Sequence, residues 1–238
     1  MELKRFFINT EDIRNGEITI SGGEYRHIVN VLRYKKGFRL IACPSDGNDY
    51  LAEITEIGKD CVNARIISKE LNQNTPDIII NLYAAMIKEE NYAITVQKAV
   101  ELGVNAITPV ISSYVDEKNI RLDRLNKIAI SACKQCGRAE IVEVKEPIPF
   151  IEAVKAVLSD ELSVMAYEKE KVVYLKDLLA DKVKSIGVII GPEGGFTDKE
   201  YELAKAEGIK TFSLGRRILK AETAAISVLC AINYEFER

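Results

Sequence analysis

The sequence predicts two domains of different class, a small β-barrel at residues 1–72 and an α/β domain at residues 73–238. Strand-like segments separated by turn residues fill the first part, whereas strand-like and helix-like segments alternate in the second. A polar stretch at residues 69–77, KELNQNTPD, lies where the pattern changes. The composition, 47% hydrophobic and 29% charged residues, is that of a globular protein with a sizeable core.

The predicted strands of the first part are short and are bounded by turn residues such as Asp46-Gly47-Asn48. A short helix at residues 24–32 interrupts them. The strands are expected at residues 5–8, 17–21, 38–42, 50–57 and 61–68. Because several short strands joined by tight turns favour a closed or sandwiched sheet, we expect a small barrel.

The second part alternates between strand and helix periodicity, which predicts a mostly parallel sheet with helices on both faces. Strands are expected at residues 78–85, 106–111, 162–166, 186–190 and 210–214. Helices are expected at residues 92–102, 123–135, 150–158, 174–180, 198–207 and 222–236.

The sequence predicts a soluble, cytoplasmic protein without a metal site. Its longest nearly apolar run, residues 78–87, is about half of the roughly 20 residues that a membrane span needs. Five cysteines, an odd number, are typical of a reducing compartment. The pair Cys133 and Cys136 lies late in a predicted helix, where a thiolate is not stabilised. With a single histidine and no second closely spaced cysteine pair, the chain also lacks the four ligands of a typical zinc site.

A glycine-rich segment, GPEGGFTDKE at residues 191–200, directly follows a predicted strand. It is not a phosphate-binding loop, because Phe196 and Thr197 stand where that motif requires Gly and Lys. Glu193 replaces the second glycine of the dinucleotide motif and would repel a phosphate.

The same segment ends in a T-x-x-E capping box, Thr197 and Glu200, which predicts that the next helix caps its own first amides. The backbone groups of residues 191–195 then suit a neutral or cationic small molecule. A tight strand-to-helix turn without a ligand is the alternative.

A second glycine turn, SLGRRILKAETAA at residues 213–225, follows the next strand. Because parallel strands end at one edge of a sheet, we expect both turns to line one crevice.

Five motifs in this order resemble one known family: HIVNVLR (27–33), QKAVELGV (97–104), KQCGR (134–138), IGPEGGFTDKE (190–200) and LGRRILKAETAA (214–225). The chain resembles the RsmE family of small-subunit rRNA uridine-N3 methyltransferases over nearly its whole length. The resemblance implies a PUA-like N-terminal barrel, a C-terminal SPOUT α/β domain with a trefoil knot, and a homodimer. It also implies S-adenosylmethionine as cofactor and a uridine of 16S rRNA, within the 30S subunit, as substrate.

The resemblance further implies which residues surround the cofactor. These are Gly191, Glu193, Gly194, Leu214, Gly215, Ile218 and Leu219. Two positions depart from the family pattern: Lys220 stands where arginine is expected, and Tyr114 where many members have a basic residue. Both departures affect the expected RNA contacts.

A cationic segment in the first domain predicts an RNA-binding surface, although the net charge of −3 argues against a protein that binds naked RNA unaided. No carboxylate interrupts its five cations, and Tyr34 and Phe38 between them are candidate stacking partners. The cations are Arg26, Arg33, Lys35, Lys36 and Arg39. An ordinary solvated barrel surface is the alternative.

Methylation of uracil at N3 requires loss of the N3 proton, which a cation can promote by stabilising the resulting anion. Arg138, Arg217 and Lys220 are the candidates for this role, with phosphate contacts or intersubunit ion pairs as the alternative. Glu222 is a candidate proton acceptor, or serves the helix dipole. His27, the only histidine, is expected to be packed rather than catalytic.

Three other functions stay open on the sequence. A related knotted methyltransferase would modify another base or a ribose hydroxyl, and a non-catalytic RNA-binding module would keep the fold without turnover. A nucleotide-dependent oxidoreductase would need the dinucleotide glycine pattern, which the chain lacks.

Overall fold

The computed structural model describes residues 3–115, 119–179 and 182–236, which form two compact units. The first unit contains the described residues up to Thr75 together with Cys133–Ile141. The second contains the described residues of Pro76–Ala132 and of 142–238. Within these ranges, no helix has the length and the apolar character that crossing a membrane requires.

The first unit is built on a six-stranded sheet with the strand order β1-β4-β5-β6-β3-β2. Strands β1 and β4 pair in parallel, and the other pairs are antiparallel. The strands are β1 (Arg5–Phe7), β2 (Ile13–Arg14), β3 (Glu17–Ser21), β4 (Arg39–Cys43), β5 (Asn48–Ile57) and β6 (Cys61–Leu71). A 3₁₀ turn, Thr10–Asp12, precedes β2, and helix α1 (Gly22–Arg26) continues into a π-helical turn, His27–Val31.

One apolar core holds this sheet together. Strand β3 alternates buried and exposed residues, so that Ile18 and Ile20 point into the core. Phe6 of β1 and Ile28 of the π-helical turn are fully buried in the same cluster. The alternation is the physical reason why the sequence predicted these strands.

The short strand β2 was not predicted, although the turn that forms it has a clear signal. Asn15 and Gly16 have φ angles of 51° and 79°, the left-handed conformations that a two-residue hairpin turn needs. The hairpin pairs Ile13 with Ile18 and Arg14 with Glu17.

Side-chain amides and an ion pair between Lys134 and Glu24 help to hold residues 133–141 in the first unit. Asn72 Nδ2 donates to the carbonyl oxygen of Gly137 at 3.0 Å, and Asn74 Nδ2 donates to the same oxygen at 3.1 Å. Gly137 has a φ of +84°, and a Cβ atom there would lie 2.8 Å from Asn74 Nδ2. This glycine of the KQCGR motif therefore permits a close approach of the protein's own chain.

The second unit alternates strands and helices as predicted, in a sheet in which every pairing is parallel. The strand order is β10-β8-β7-β12-β11-β13, with β9 beside β8. The strands are β7 (Ile79–Ala85), β8 (Ala106–Ile111), β9 (Glu143–Val144), β10 (Ile148–Pro149), β11 (Leu162–Ala166), β12 (Ser185–Ile190) and β13 (Lys210–Phe212). The two-residue strands β9 and β10 were not predicted, because so short a segment has no periodicity.

Helices connect these strands at the predicted places, with ends that differ by up to three residues. They are α2 (Glu89–Glu101), α3 (Leu122–Cys136), α4 (Phe150–Val157), α5 (Leu175–Leu178), α6 (Asp198–Ala206) and α7 (Ala221–Phe236). The predicted end of the fifth helix, Ala180, lies outside the described residues. Because β12, β11 and β13 are neighbours, their carboxyl ends meet at one place on the sheet edge.

Candidate active site

A cleft lies at the carboxyl ends of strands β11, β12 and β13 and contains about 650 Å³ of space that is continuous with solvent. The segments that follow these three strands form its walls, together with Ala221 and Ala224 of α7. Both glycine loops therefore line one crevice, as the parallel sheet predicted.

Most of the predicted cofactor-contacting residues line this cleft. They are Gly191, Leu214, Gly215, Ile218 and Leu219, and the predicted catalytic residue Arg217 lies with them. Glu193 and Gly194, from the same loop as Gly191, line a second cavity with Ser113 and Tyr114. The glycine loop thus borders two cavities of the second unit.

The glycines of the first loop are required by the close approach of the protein's own side chains. A Cβ atom on Gly191 would lie 2.9 Å from the Phe196 ring, which is buried and packs against Phe150 with ring centroids 5.2 Å apart. On Gly195, with a φ of +71°, it would lie 2.6 Å from Oε1 of Glu168. The loop conformation therefore depends on small residues whether or not a ligand is bound.

The predicted capping box is confirmed, and it also anchors the loop. Thr197 Oγ1 accepts a hydrogen bond from the backbone N–H of Glu200 at 3.2 Å, while Glu200 Oε2 accepts from the backbone N–H of Thr197 at 2.9 Å. The other carboxylate oxygen of Glu200 accepts from the backbone N–H of Ser113 at 2.8 Å. The first amides of helix α6 are thus partly satisfied by side chains, which disfavours a phosphate at this helix terminus.

The second glycine loop exposes two arginines to the cleft. Its turn depends on Gly215, whose φ is +111° and whose N–H is bonded to Ser213 Oγ at 3.2 Å. Arg216 and Arg217 follow, both exposed, and the apolar side chain of Ile218 is 89% exposed. Arg216 was not singled out from the sequence.

The predicted proton acceptor Glu222 lies in the first turn of α7 and is largely shielded from solvent, with its side chain 13% exposed. Its Oε1 is 4.0 Å from Nζ of Lys220, which is itself exposed. Its Oε2 is buried and has no hydrogen-bond partner among the described residues. This oxygen is therefore unpartnered but enclosed by the protein, and Glu222 is not among the residues that line the cleft.

The segment after β11 supplies a third wall, which the sequence analysis did not assign. Tyr167 stacks on Tyr201 with ring centroids 4.3 Å apart, and burial raises the pKa of Tyr167. Glu168 and Ala166 line the cleft beside it. This wall could have been predicted from the sequence. Residues 162–166 were also expected to form a parallel strand of that sheet, and the carboxyl ends of parallel strands meet at one edge.

Arg138 belongs to the first unit, in the segment Cys133–Ile141, and is 5% exposed. The structure therefore does not bring it together with Arg217 within one compact unit.

His27 packs edge-on against Phe6 with ring centroids 5.9 Å apart, in line with the packing role expected for it.

The predicted RNA-binding cations are all exposed on the first unit. They are Arg26, Arg33, Lys35, Lys36 and Arg39. Lys35 and Lys36 border a surface depression with Thr55. Nε of Arg39 lies 3.4 Å from Glu53 Oε2, so this cation is partly neutralised.

The prediction of Tyr34 as a base-stacking partner is wrong. Its ring is 7% exposed and is part of the sheet core, because it packs against Phe6 and Phe38. Phe38 is 36% exposed and keeps part of its ring accessible.

Comparison with known proteins defines the class to which this fold and cleft belong. The family described as RNA methyltransferase domain matches residues 74–233, and the RNA methyltransferase PUA domain matches residues 20–67. The protein is thus an RNA methyltransferase that carries a PUA domain.

Individual relatives narrow the class. Ribosomal RNA small subunit methyltransferase E of Rickettsia conorii is 30% identical, with 98% of this chain and 96% of the relative covered. The Bacillus subtilis protein of the same name is 30% identical over 99% and 98% of the two chains. The chain therefore belongs to the RsmE family, the ribosomal RNA small subunit methyltransferases E.

Solved structures of similar proteins carry the cofactor. Ribosomal RNA small subunit methyltransferase E from Neisseria gonorrhoeae, bound to S-adenosyl methionine, has a TM-score of 0.87 and 30% identity, with 98% of each chain covered. A Legionella pneumophila protein in complex with the bound cofactor SAM has a TM-score of 0.88 and 29% identity, again over 98% of each chain.

Proposed function

We propose that this protein transfers a methyl group from S-adenosylmethionine to N3 of a uridine in the 16S rRNA of the small ribosomal subunit. The observation that carries the proposal is the cleft at the carboxyl ends of β11, β12 and β13, which two glycine loops and exposed arginines line. Family membership supports it, since similar structures hold this cofactor.

The residues of the cleft fit a ligand that has no phosphate. Leu214, Ile218 and Leu219 offer apolar contacts, and Gly191 and Gly215 offer accessible backbone. The capping box in the first turn of α6 disfavours a phosphate at this helix terminus. S-adenosylmethionine supplies an electrophilic methyl group on a sulfonium, which uracil N3 accepts as the carbon–sulfur bond breaks.

The chain's own groups must position the uracil and manage its N3 proton. Each pKa unit by which N3 is acidified corresponds to about 1.4 kcal/mol, which is within reach of one charge-assisted hydrogen bond to a uracil oxygen. Arg217, exposed in the cleft, is our first candidate for that donor, with Arg138 and Lys220 as the others. Glu222, in the first turn of α7 between the cleft-lining residues Ala221 and Ala224, is our candidate acceptor of the proton. The target base must leave its stack to reach these groups.

We further propose that Glu193 and Gly194 contact the cofactor from the far side of the glycine loop. The exposed cations of the first unit would contact rRNA phosphates, with Arg33 and Lys36 as the leading pair. Residues 1–72 would form a PUA-like RNA-binding barrel, and residues 73–238 a SPOUT domain with a trefoil knot. The active form would be a homodimer in the cytoplasm that methylates rRNA within the 30S subunit.

The decisive experiment is transfer of labelled methyl from S-adenosylmethionine to small subunits, and to free 16S rRNA, from cells that lack this protein. Digestion to nucleosides should give labelled 3-methyluridine. Arg217→Ala should reduce the transfer, whereas Lys171→Ala, an exposed cation outside the cleft lining, should not. A label in another base or on a ribose would favour the related methyltransferases, and no label with either substrate would refute the proposal.

A further inference from the structure

The carboxylate that faces the cleft is Glu168, which directly follows Tyr167 after strand β11. Its side chain is exposed and makes no hydrogen bond or ion pair with any described residue. An unpaired carboxylate that lines an open cleft is available to a donor from outside the chain.

The neighbouring carboxylates have structural tasks and are not available in this way. Oε1 of Glu170 accepts the backbone N–H groups of Lys171 and Val172, both at 2.9 Å, and its Oε2 accepts from Thr211. The backbone N–H of Val172 lowers the pKa of Glu170. Asp198 pairs with Lys169 at 2.5 Å. Of Glu168, Glu170 and Asp198, only Glu168 lines the cleft and has no partner among the described residues.

The position of Glu168 is tied to the glycine loop. A Cβ atom on Gly195 would lie 2.6 Å from Oε1 of Glu168, so the carboxylate lies directly against the backbone of this loop. Arg216 and Arg217 line the same cleft from the loop after β13. The cleft therefore offers both a negative group and positive groups, which complements a zwitterion better than a simple anion or cation.

We infer that Glu168 binds the ammonium group of the methionine end of S-adenosylmethionine. The inference rests on the proposed function, since it concerns the same cleft, and it assigns the charged contact to a residue outside both glycine loops. Glu193, the carboxylate within the first loop, lines the neighbouring cavity instead. A carboxylate–ammonium pair is a charge-assisted hydrogen bond, and a neutral amide at position 168 would lose most of its strength.

The test is calorimetric binding of three ligands to the parent protein and to Glu168→Gln. Two ligands, S-adenosylmethionine and S-adenosylhomocysteine, carry the ammonium, and 5′-methylthioadenosine lacks it. We expect Glu168→Gln to weaken both ammonium ligands about tenfold and to leave 5′-methylthioadenosine unchanged. Glu168→Asp, which keeps the charge, should recover part of the loss. Glu202→Gln, at an exposed carboxylate outside the cleft lining, is the matched control and should bind all three ligands as the parent does.

An equal loss for all three ligands would overturn the inference, because the carboxylate would then hold the ribose or the fold of the cleft. Unchanged binding of S-adenosylmethionine by Glu168→Gln would overturn it as well. The parent protein could bind S-adenosylmethionine, and Glu168→Gln could selectively weaken the two ammonium ligands, while no rRNA is methylated. This result would refute the proposed function but support the assignment of Glu168 to the ammonium group. A parent that binds none of the three ligands would refute both.

Discussion

Glu200 and Ser113 join two loops at the carboxyl edge of the second unit's sheet, through a 2.8 Å hydrogen bond from the backbone N–H of Ser113 to Oε1 of Glu200. The other oxygen of this carboxylate bonds to Thr197, so a single side chain caps α6 and fixes the glycine loop. Because Glu200 is 7% exposed, water cannot readily replace these bonds.

Replacing Glu200 by Ala should therefore lower the free energy of unfolding by about 2 kcal/mol, since the backbone N–H of Ser113 loses a charged acceptor and α6 loses part of its cap. The control is Glu202→Ala, an exposed position on the same helix, which should change stability by less than about 0.5 kcal/mol. Urea denaturation followed by circular dichroism measures both. Equal effects of the two variants would show that the bond to Ser113 contributes nothing.

The capping half of this arrangement was visible in the sequence, and the bond to Ser113 was not. A capping box is a local pattern, with Thr197 and Glu200 three residues apart, so the order of residues is enough to predict it. Ser113 lies 87 residues away from Glu200, and only the pairing order of the strands brings the two together. The same holds for Glu168, which became a cleft residue because β11 lies between β12 and β13.

The first unit shows the same difference between local patterns and long-range contacts. The strands with alternating burial were predictable, because apolar and polar residue types alternate along them. The attachment of Cys133–Ile141 involves Asn72 and Asn74, whose amides reach a carbonyl oxygen more than 60 residues away. Polar residues in a linker-like stretch give no sign of such a partner, so the predicted domain boundary at residue 72 leaves this segment in the second domain.

Gly191→Ala should reduce both stability and cofactor affinity. The added methyl group would meet the buried Phe196 ring at 2.9 Å, and because that ring packs against Phe150 it cannot move without displacing its neighbour. We expect a loss of about 1–3 kcal/mol in unfolding free energy, as for other overpacked cores. Phe196 also lines the cleft, so S-adenosylmethionine should bind more weakly in calorimetry.

Gly23→Ala is the control for this substitution, because nothing lies within 4 Å of a Cβ atom at that position. It should leave stability within about 0.5 kcal/mol of the parent and leave cofactor binding unchanged. A Gly191→Ala protein that behaves in the same way would mean that the loop adjusts freely.

The cations of the first unit should affect rRNA binding through its salt dependence. Arg33→Ala combined with Lys36→Ala should weaken binding and reduce the slope of log K against log salt concentration by about 1.5, since each lost phosphate contact removes about 0.7–0.9. Arg39→Ala should have a smaller effect, because its guanidinium is 3.4 Å from Glu53. Cofactor affinity should not change. An unaltered slope in the double variant would indicate a surface that RNA does not touch.

Asp160 should make the stability of the second unit fall with rising pH. Burial raises the pKa of this carboxyl above its usual 3.8, although Asn81 donates a hydrogen bond to it, and its Oδ2 has no partner among the described residues. A raised folded-state pKa means that the folded protein binds the proton more tightly than the unfolded chain does. Stability from this group is therefore present at low pH and is lost as pH rises from about 4 through the folded-state pKa.

Asp160→Asn removes the titration, so the stability of the variant relative to the parent should increase between pH 4 and pH 7. Unfolding free energies measured at several pH values give this difference, in which the contributions of other groups cancel. Glu152→Gln, an exposed position on α4, should show a flat difference over the same range. A flat difference for Asp160→Asn as well would mean that its carboxyl is ionised at no cost in the folded protein.

Helix α7 leads to the last prediction, because part of its surface stays uncovered within one chain. One side packs against α2, α5 and β12 and buries residues such as Val228 and Leu229. Another side exposes Cys230 and leaves Tyr234 90% exposed. A helix with so much apolar surface normally keeps a polar face toward water.

We expect a second copy of the chain to cover this surface, so that sedimentation equilibrium shows a dimer at micromolar concentration. Tyr234→Glu should yield folded monomers, because a side chain that is 90% exposed contributes little to the fold of one chain, while a buried, unpaired charge opposes association. Ile226→Glu, on the same helix, should act in the same direction. Val172→Glu is the control: the side chain is 81% exposed and lies outside α7, so the protein should remain dimeric. If the dimer completes the active site, the monomeric variants should lose methyl transfer to rRNA while Val172→Glu retains it. A parent protein that is monomeric and fully active would contradict both the interface and its role in catalysis.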